Sequence, residues 1–74
     1  MQFKVALFAY QKEQHGSAIE LDSEPTVEAV LRALADRGVR VEHCRLAVNE
    51  ELATETTPVT PNARLALIPP VSGG

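Results

Sequence analysis

Hydrophobic and polar residues alternate from the second residue onward. Over residues 2–10, Phe3, Val5, Leu7 and Ala9 share one parity; Gln2, Lys4, Ala6, Phe8 and Tyr10 share the other. That is the period of a strand with one face on a core, and the first set predicts the core side. The stretch "KEQHG" then predicts a turn, with Gly16 free to take positive φ. Ile19 and Leu21 alternate with Ala18, Glu20 and Asp22, which predicts a second strand and so a hairpin.

The period changes in "SEPTVEAVLRALADRG". Val27, Val30, Leu31 and Leu34 fall at i, i+3, i+4 and i+7, the spacing of one helix face. Thr26 is placed to cap the start, its hydroxyl accepting from an otherwise unpaired backbone N–H. Pro25 favours an extended residue before it and sets the boundary. Glu28 complements the positive end of the helix dipole and Arg37 the negative end, and Gly38 suits a left-handed cap.

Beyond the helix, Cys44, Leu46 and Val48 alternate with His43, Arg45 and Ala47, predicting a third strand. "NEEL" reads as a tight turn into a short edge strand over residues 52–54. Pro58 and Pro61 punctuate a loop, and "RLALI" predicts the last strand with Leu65 and Leu67 inward. The predicted order is β-β-α-β-β-β, an α+β fold with one main helix covering one face of one sheet. Residues 1–68 form the expected domain and residues 69–74 a flexible tail.

Composition narrows the functions available. Seventy-four residues make a single domain with a small core. Ten acidic residues stand against seven Lys and Arg, the basic ones are scattered, and three aromatics leave little for a base to stack on. Nucleic-acid binding is therefore not expected. No apolar run approaches the ~20 residues of a membrane helix, and the start lacks the pattern of a signal peptide. The expected setting is the cytoplasm, in agreement with a single unpaired cysteine, Cys44.

No catalytic constellation stands out. His15 falls in a turn and His43 near a strand start, with no nucleophile beside either. Glu50 and Glu51 adjoin in a turn, the wrong arrangement for an acid and base flanking a substrate. Cys44 shares the parity of Leu46 and Val48, where a cysteine behaves as a small hydrophobe. There is no Cys/His cluster at metal-ligand spacing.

The end of the chain, "PPVSGG", is different. Pro69 and Pro70 have no N–H to give a sheet ladder, so they end the strand and hold a stiff extended path. Val71 and Ser72 add little bulk; Gly73 and Gly74 add none beyond backbone. Six residues at ~3.3 Å each reach ~20 Å, enough to enter another protein's active site through a narrow channel. The group delivered is an α-carboxylate, ionised at neutral pH with a pKa of about 3.5 and a poor electrophile until activated, for example as an acyl-adenylate. This chain has no phosphate-cradling loop, so activation asks for a partner enzyme.

With "FKVALFAYQKEQHG", "EPTVEAVLRAL", "AVNEEL" and a terminal "IPPVSGG", the whole chain resembles the ubiquitin-like β-grasp sulfur carriers, above all the small subunits of molybdopterin synthases. The resemblance implies a mixed four- to five-stranded sheet and a carrier with no bound cofactor. A ubiquitin-activating-like adenylyltransferase would spend ATP on the Gly74 carboxylate, and a sulfur donor enzyme would convert it to a thiocarboxylate (1-thioglycine). The tail would then enter a large synthase subunit, in a heterotetramer of two small and two large subunits. There sulfur would pass to a cyclic pyranopterin precursor, on the way to the molybdenum cofactor. Phe8, Leu52 and Ile68 are expected to form an apolar patch on the helix-free side, leading to Pro69, Pro70, Val71, Ser72 and the glycines.

Other readings keep the fold and change the customer. Thiamine, cysteine and tRNA thiolation use similar carriers, and a protein modifier would join the same end to lysine.

Overall fold

A computed structural model of the chain describes residues 1–70. Five strands, β1 (Gln2–Ala6), β2 (Ala18–Asp22), β3 (Arg45–Val48), β4 (Glu51–Leu52) and β5 (Leu65–Ile68), form one sheet in the order β2-β1-β5-β3-β4. The central pair, β1 and β5, runs parallel, and the other pairings are antiparallel. Two helices, α1 (Ala9–His15) and α2 (Val27–Asp36), complete the described elements.

The inward parity holds on every long strand. Phe3 pairs with Leu21 and Val5 with Ile19; Leu46 pairs with Leu67 and Val48 with Leu65. Val27, Val30 and Leu34 of α2 meet this layer, and Val5, Val30, Leu34 and Leu67 are fully buried. Burying such a side chain is worth about 1.5–3 kcal/mol each, which is how a chain this short holds a sheet against one helix. Thr26 caps α2 as expected, its hydroxyl accepting from the Ala29 N–H at 3.1 Å. Gly38 (φ 87) closes the far end in left-handed backbone.

The first hairpin departs from expectation. The ladder of β1 ends at Ala6 rather than Tyr10, and "KEQHG" belongs to α1 instead of a turn. The element order is therefore β-α-β-α-β-β-β, with a second, shorter helix. The break falls at Ala9, whose φ of 55 is left-handed backbone that few non-glycine residues adopt. Ala9, predicted inward, is exposed. Gly16 does take positive φ, after α1, and its N–H donates to the Lys12 carbonyl at 2.8 Å.

α1 has no apolar stripe. Its one buried residue is Gln11, whose Nε2 donates to the Arg40 carbonyl and approaches the Cys44 sulfur at 3.5 Å. A seven-residue helix is too short to stand alone, so tertiary contacts such as this one hold it.

The turn "NEEL" gives a two-residue hairpin loop. Val48 pairs with Glu51, and Asn49 (φ 53) and Glu50 (φ 73) are both left-handed, the type I′ geometry whose twist matches its strands. Asn49 also ties the loop to the start of β5: its N–H donates to the Arg64 carbonyl at 2.8 Å, and its Oδ1 accepts from the Arg64 N–H at 2.9 Å. The edge strand is Glu51–Leu52, shorter and earlier than residues 52–54.

Candidate functional site

The face of the sheet away from α2 is built by the other parity, and it is unusually smooth. Following the pairings across the sheet, Ala18 of β2 lies beside Ala6 of β1, which lies beside Ala66 of β5. Ala66 lies beside Ala47 of β3, and Ala47 beside Leu52 of β4. Four alanines thus cross the sheet in one row and end on an exposed leucine, 53% accessible. Ala6, Ala18 and Ala66 are half-buried and Ala47 is buried, so the small side chains leave a shallow apolar floor over β2, β1 and β5 that closes over at β3. One end of it deepens into a depression bordered by Lys4, Ala6, Ala18, Ala63, Arg64 and Leu65.

The next row toward the tail holds Ile68, paired with Arg45. Phe8 lies beyond the last ladder pair of β1, but its backbone is still extended (φ −135, ψ 165). Leu7 keeps the inward parity at 1% exposure, while Phe8 is 46% exposed. The parallel register pairs Ala6 with Ala66, and two positions further on it sets Phe8 level with Ile68. By that count Phe8 and Ile68 stand on the helix-free side, Phe8 exposed and Ile68 half-buried, with Leu52 two strands away from β5. Sequence parity missed the alanine row; Tyr10, which parity places outward with Phe8, is exposed, but as part of α1 instead of a strand. Ala6, Ala47 and Ala66 each sit between inward residues, but only the strand order and register bring them into one row with Ala18.

Beyond Ile68, Pro69 is half-buried and Pro70 exposed. Val71, Ser72, Gly73 and Gly74 lie outside the described residues.

Charge around this face is modest. Lys4 lies beside Glu20 across β1 and β2. Arg64 and Glu50 approach at 3.7 Å with both side chains more than four-fifths exposed, a contact worth little. His43 is exposed, and His15 is half-buried on α1. Among the described residues no group of three His, Cys, Asp or Glu could hold a metal ion. No described helix is long and apolar enough to cross a membrane. On the helix-free face Phe8 and Leu52 are exposed, and Pro69 and Pro70 follow the end of β5.

The model of the ThiS family matches residues 5–74. The chain belongs to the ThiS family. A molybdopterin synthase sulfur carrier subunit of Arabidopsis thaliana is 35% identical, aligned over all of this chain and 84% of the relative. This ThiS-family chain is thus a sulfur carrier of the ubiquitin-like, β-grasp type. The crystal structure of SAMP1 from Haloferax volcanii is 30% identical and superposes with a TM-score of 0.70, each chain covered completely. A complex of subunits 1 and 2 of molybdopterin-converting factor from Helicobacter pylori contains a chain of the same fold. Its TM-score is 0.72 at 24% identity, again with full coverage of both chains.

Proposed function

We propose that this ThiS-family chain is the sulfur-carrying small subunit of a molybdopterin synthase, with Gly74 as the loaded residue. Its support is the 35% identity to a sulfur carrier subunit along the entire chain, joined to this chain's own "PPVSGG". The Gly74 carboxylate attacks the α-phosphate of ATP on an adenylyltransferase, pyrophosphate leaves, and an acyl-adenylate forms. The terminal sulfur of a donor-enzyme persulfide attacks the acyl carbon and AMP leaves; a second thiol of the donor system then cleaves the S–S bond, forming a disulfide and releasing the thiocarboxylate. In the large subunit, that sulfur passes to a cyclic pyranopterin precursor and the carboxylate is regenerated with water. Apart from the Gly74 carboxylate, which is the nucleophile of the adenylation, this chain supplies no group to these steps, and the catalytic acids and bases belong to its partners. Gly73, Ser72 and Val71 let the end pass a narrow entry, and Pro69 and Pro70 direct it away from β5. The helix-free face, with Phe8, Ile68 and Leu52 around the alanine row, is the docking surface for the large subunit. The Helicobacter pylori complex supports a partner of that kind.

The test is intact mass. Incubated with the adenylyltransferase, ATP and a sulfur source, the chain should gain the difference between one sulfur and one oxygen, located at Gly74. A chain carrying one extra residue after Gly74 should fold normally and transfer no sulfur. Full transfer by the extended chain overturns the proposal.

The likeness to SAMP1, a small archaeal modifier protein by its name, favours a second reading in which the same end is joined to lysine. Isopeptide-linked conjugates in the native cell, with no thiocarboxylate at Gly74, would select it.

A further inference from the structure

Lys4, Arg45 and Arg64 stand on the helix-free side, and two of them have a carboxylate at hand. Lys4 lies beside Glu20 in the ladder of β1 and β2, and Arg64 approaches Glu50 at 3.7 Å. Arg45 has none: among the described residues it enters no ion pair. Its place is fixed by the ladder. Leu46 and Val48 of β3 are buried on the α2 side, so Arg45 and Ala47 are what β3 gives to the other face. Arg45 is exposed and pairs with Ile68 of β5. On its other side the Ala53 N–H donates to the Leu46 carbonyl at 2.8 Å, which carries the β3–β4 register past Leu52 and sets Thr54 level with Arg45. Neither neighbour brings a negative charge. Strand order then decides what a partner must cover, because β3 lies between β5 and β4. A surface that rests on Phe8 and Ile68 on one side and on Leu52 on the other passes over β3, where it meets Arg45 and Ala47. Strands lie ~4.8 Å apart, so the crossing is ~10 Å wide and a guanidinium inside it loses water. A charge stripped of water with no counter-charge opposes docking strongly.

We infer that Arg45 is the charged anchor of this surface and takes an Asp or Glu side chain of the large subunit. The inference rests on the docking role proposed above for the helix-free face. A carboxylate fits because the parallel N–H groups of a guanidinium match its two oxygens, and Ile68 and Thr54 border the pair on either side. The partner's mating surface is then apolar where it meets Phe8, Ile68 and Leu52, and carries one acid between them. That acid sets which way round the partner sits, since apolar contact alone has no direction. It also turns away a surface that offers a cation at the same place.

Calorimetric titration of the intact chain against the large subunit of a molybdopterin synthase tests this. Arg45→Met keeps an apolar stem and removes the charge, and binding should weaken at least ~30-fold. Arg32→Met removes the same charge from α2, on the opposite side, and should bind as wild type. In Arg45→Lys, a carbodiimide should couple residue 45 to an Asp or Glu of the large subunit, with the linked peptides read by mass. All three changes fall at exposed positions, and thermal melts check that each variant is folded. Binding by Arg45→Met within about twofold of wild type, while Leu52→Ala weakens it, overturns the inference and leaves the docking face standing. Tighter binding by Arg45→Met overturns it too, as would follow if Arg45 held this chain's own terminal carboxylate. So does the absence of coupling at residue 45 in a complex that forms. If neither Arg45→Met nor Leu52→Ala weakens binding, the docking role itself falls, and the inference with it.

Discussion

If the helix-free face receives the large subunit, truncating the two residues it exposes most should weaken docking by a calculable amount. Fully burying a Leu or Phe side chain gains about 1.5–3 kcal/mol. Folding alone leaves Leu52 53% and Phe8 46% exposed, so only about half of that gain remains for a partner to collect. Each of Leu52→Ala and Phe8→Ala should then cost ~0.7–1.5 kcal/mol of binding, or ~3- to 12-fold in Kd. Leu52 lies two strands from β5, and Ile68 of β5 is level with Phe8, so the two sites are ~10 Å or more apart. At that separation their effects nearly add, and the double variant should lose ~10- to 150-fold. Calorimetric titration against the large subunit of a molybdopterin synthase measures this. Thermal melts run beside it, because the same truncations remove the half of each side chain that folding does bury. Glu28→Ala, on the exposed face of α2 where Glu28 pairs with Arg32, serves as the control and should bind normally. If both single variants remain folded at the titration temperature and bind within about twofold of wild type, the face docks nothing and the area argument fails.

Two further outcomes concern stability. Thr26→Ala removes the hydroxyl that caps α2 and should cost ~1 kcal/mol, lowering Tm by ~4–8 °C in a domain of this size; an unchanged melt would mean another group caps the helix. Glu50→Gly relieves a left-handed glutamate worth ~1–2 kcal/mol of strain, against ~0.5–1 kcal/mol for the added chain entropy and a weak contact with Arg64. The Tm should rise by a few degrees, and a fall would show that Glu50 holds the hairpin in a way its 3.7 Å contact does not suggest.

The parity of Phe3, Val5 and Leu7, of Leu46 and Val48, and of Leu65 and Leu67 made most of the sheet legible, because a one-residue slip would turn each set to solvent. The amphipathic period of α2 and its Thr26 cap were equally plain. α1 was hidden for a physical reason. Its buried residue is a glutamine held by a carbonyl 29 positions away, and hydropathy has no sign for that. Nor does an alanine announce that it will carry a φ of 55, so the alternation that truly runs on through Phe8 invited a strand through Tyr10 as well. On the candidate site, parity puts Phe8 and Ile68 on the helix-free side, and Leu52 follows from its place beside the turn; Phe8 and Leu52 are exposed and Ile68 half-buried. The alanine row could not, since it exists only once five strands are set in order.

The order β2-β1-β5-β3-β4 also decides how the molecule bears load. The first and last strands are parallel neighbours, so Met1 and the chain leaving Ile68 sit at opposite ends of the sheet. A pull on the tail, taken against the start of the chain, runs along β5 and across the hydrogen bonds that join it to β1 and β3. Those bonds are strained together, in shear, instead of parting one after another like a zip. Met1 adds an anchor at the far end, its amine 2.9 Å from Asp22 Oδ1 and 3.1 Å from the Ser23 carbonyl. On the proposed carrier reading, a partner that drew in the tail would load the domain along the direction in which the sheet braces it.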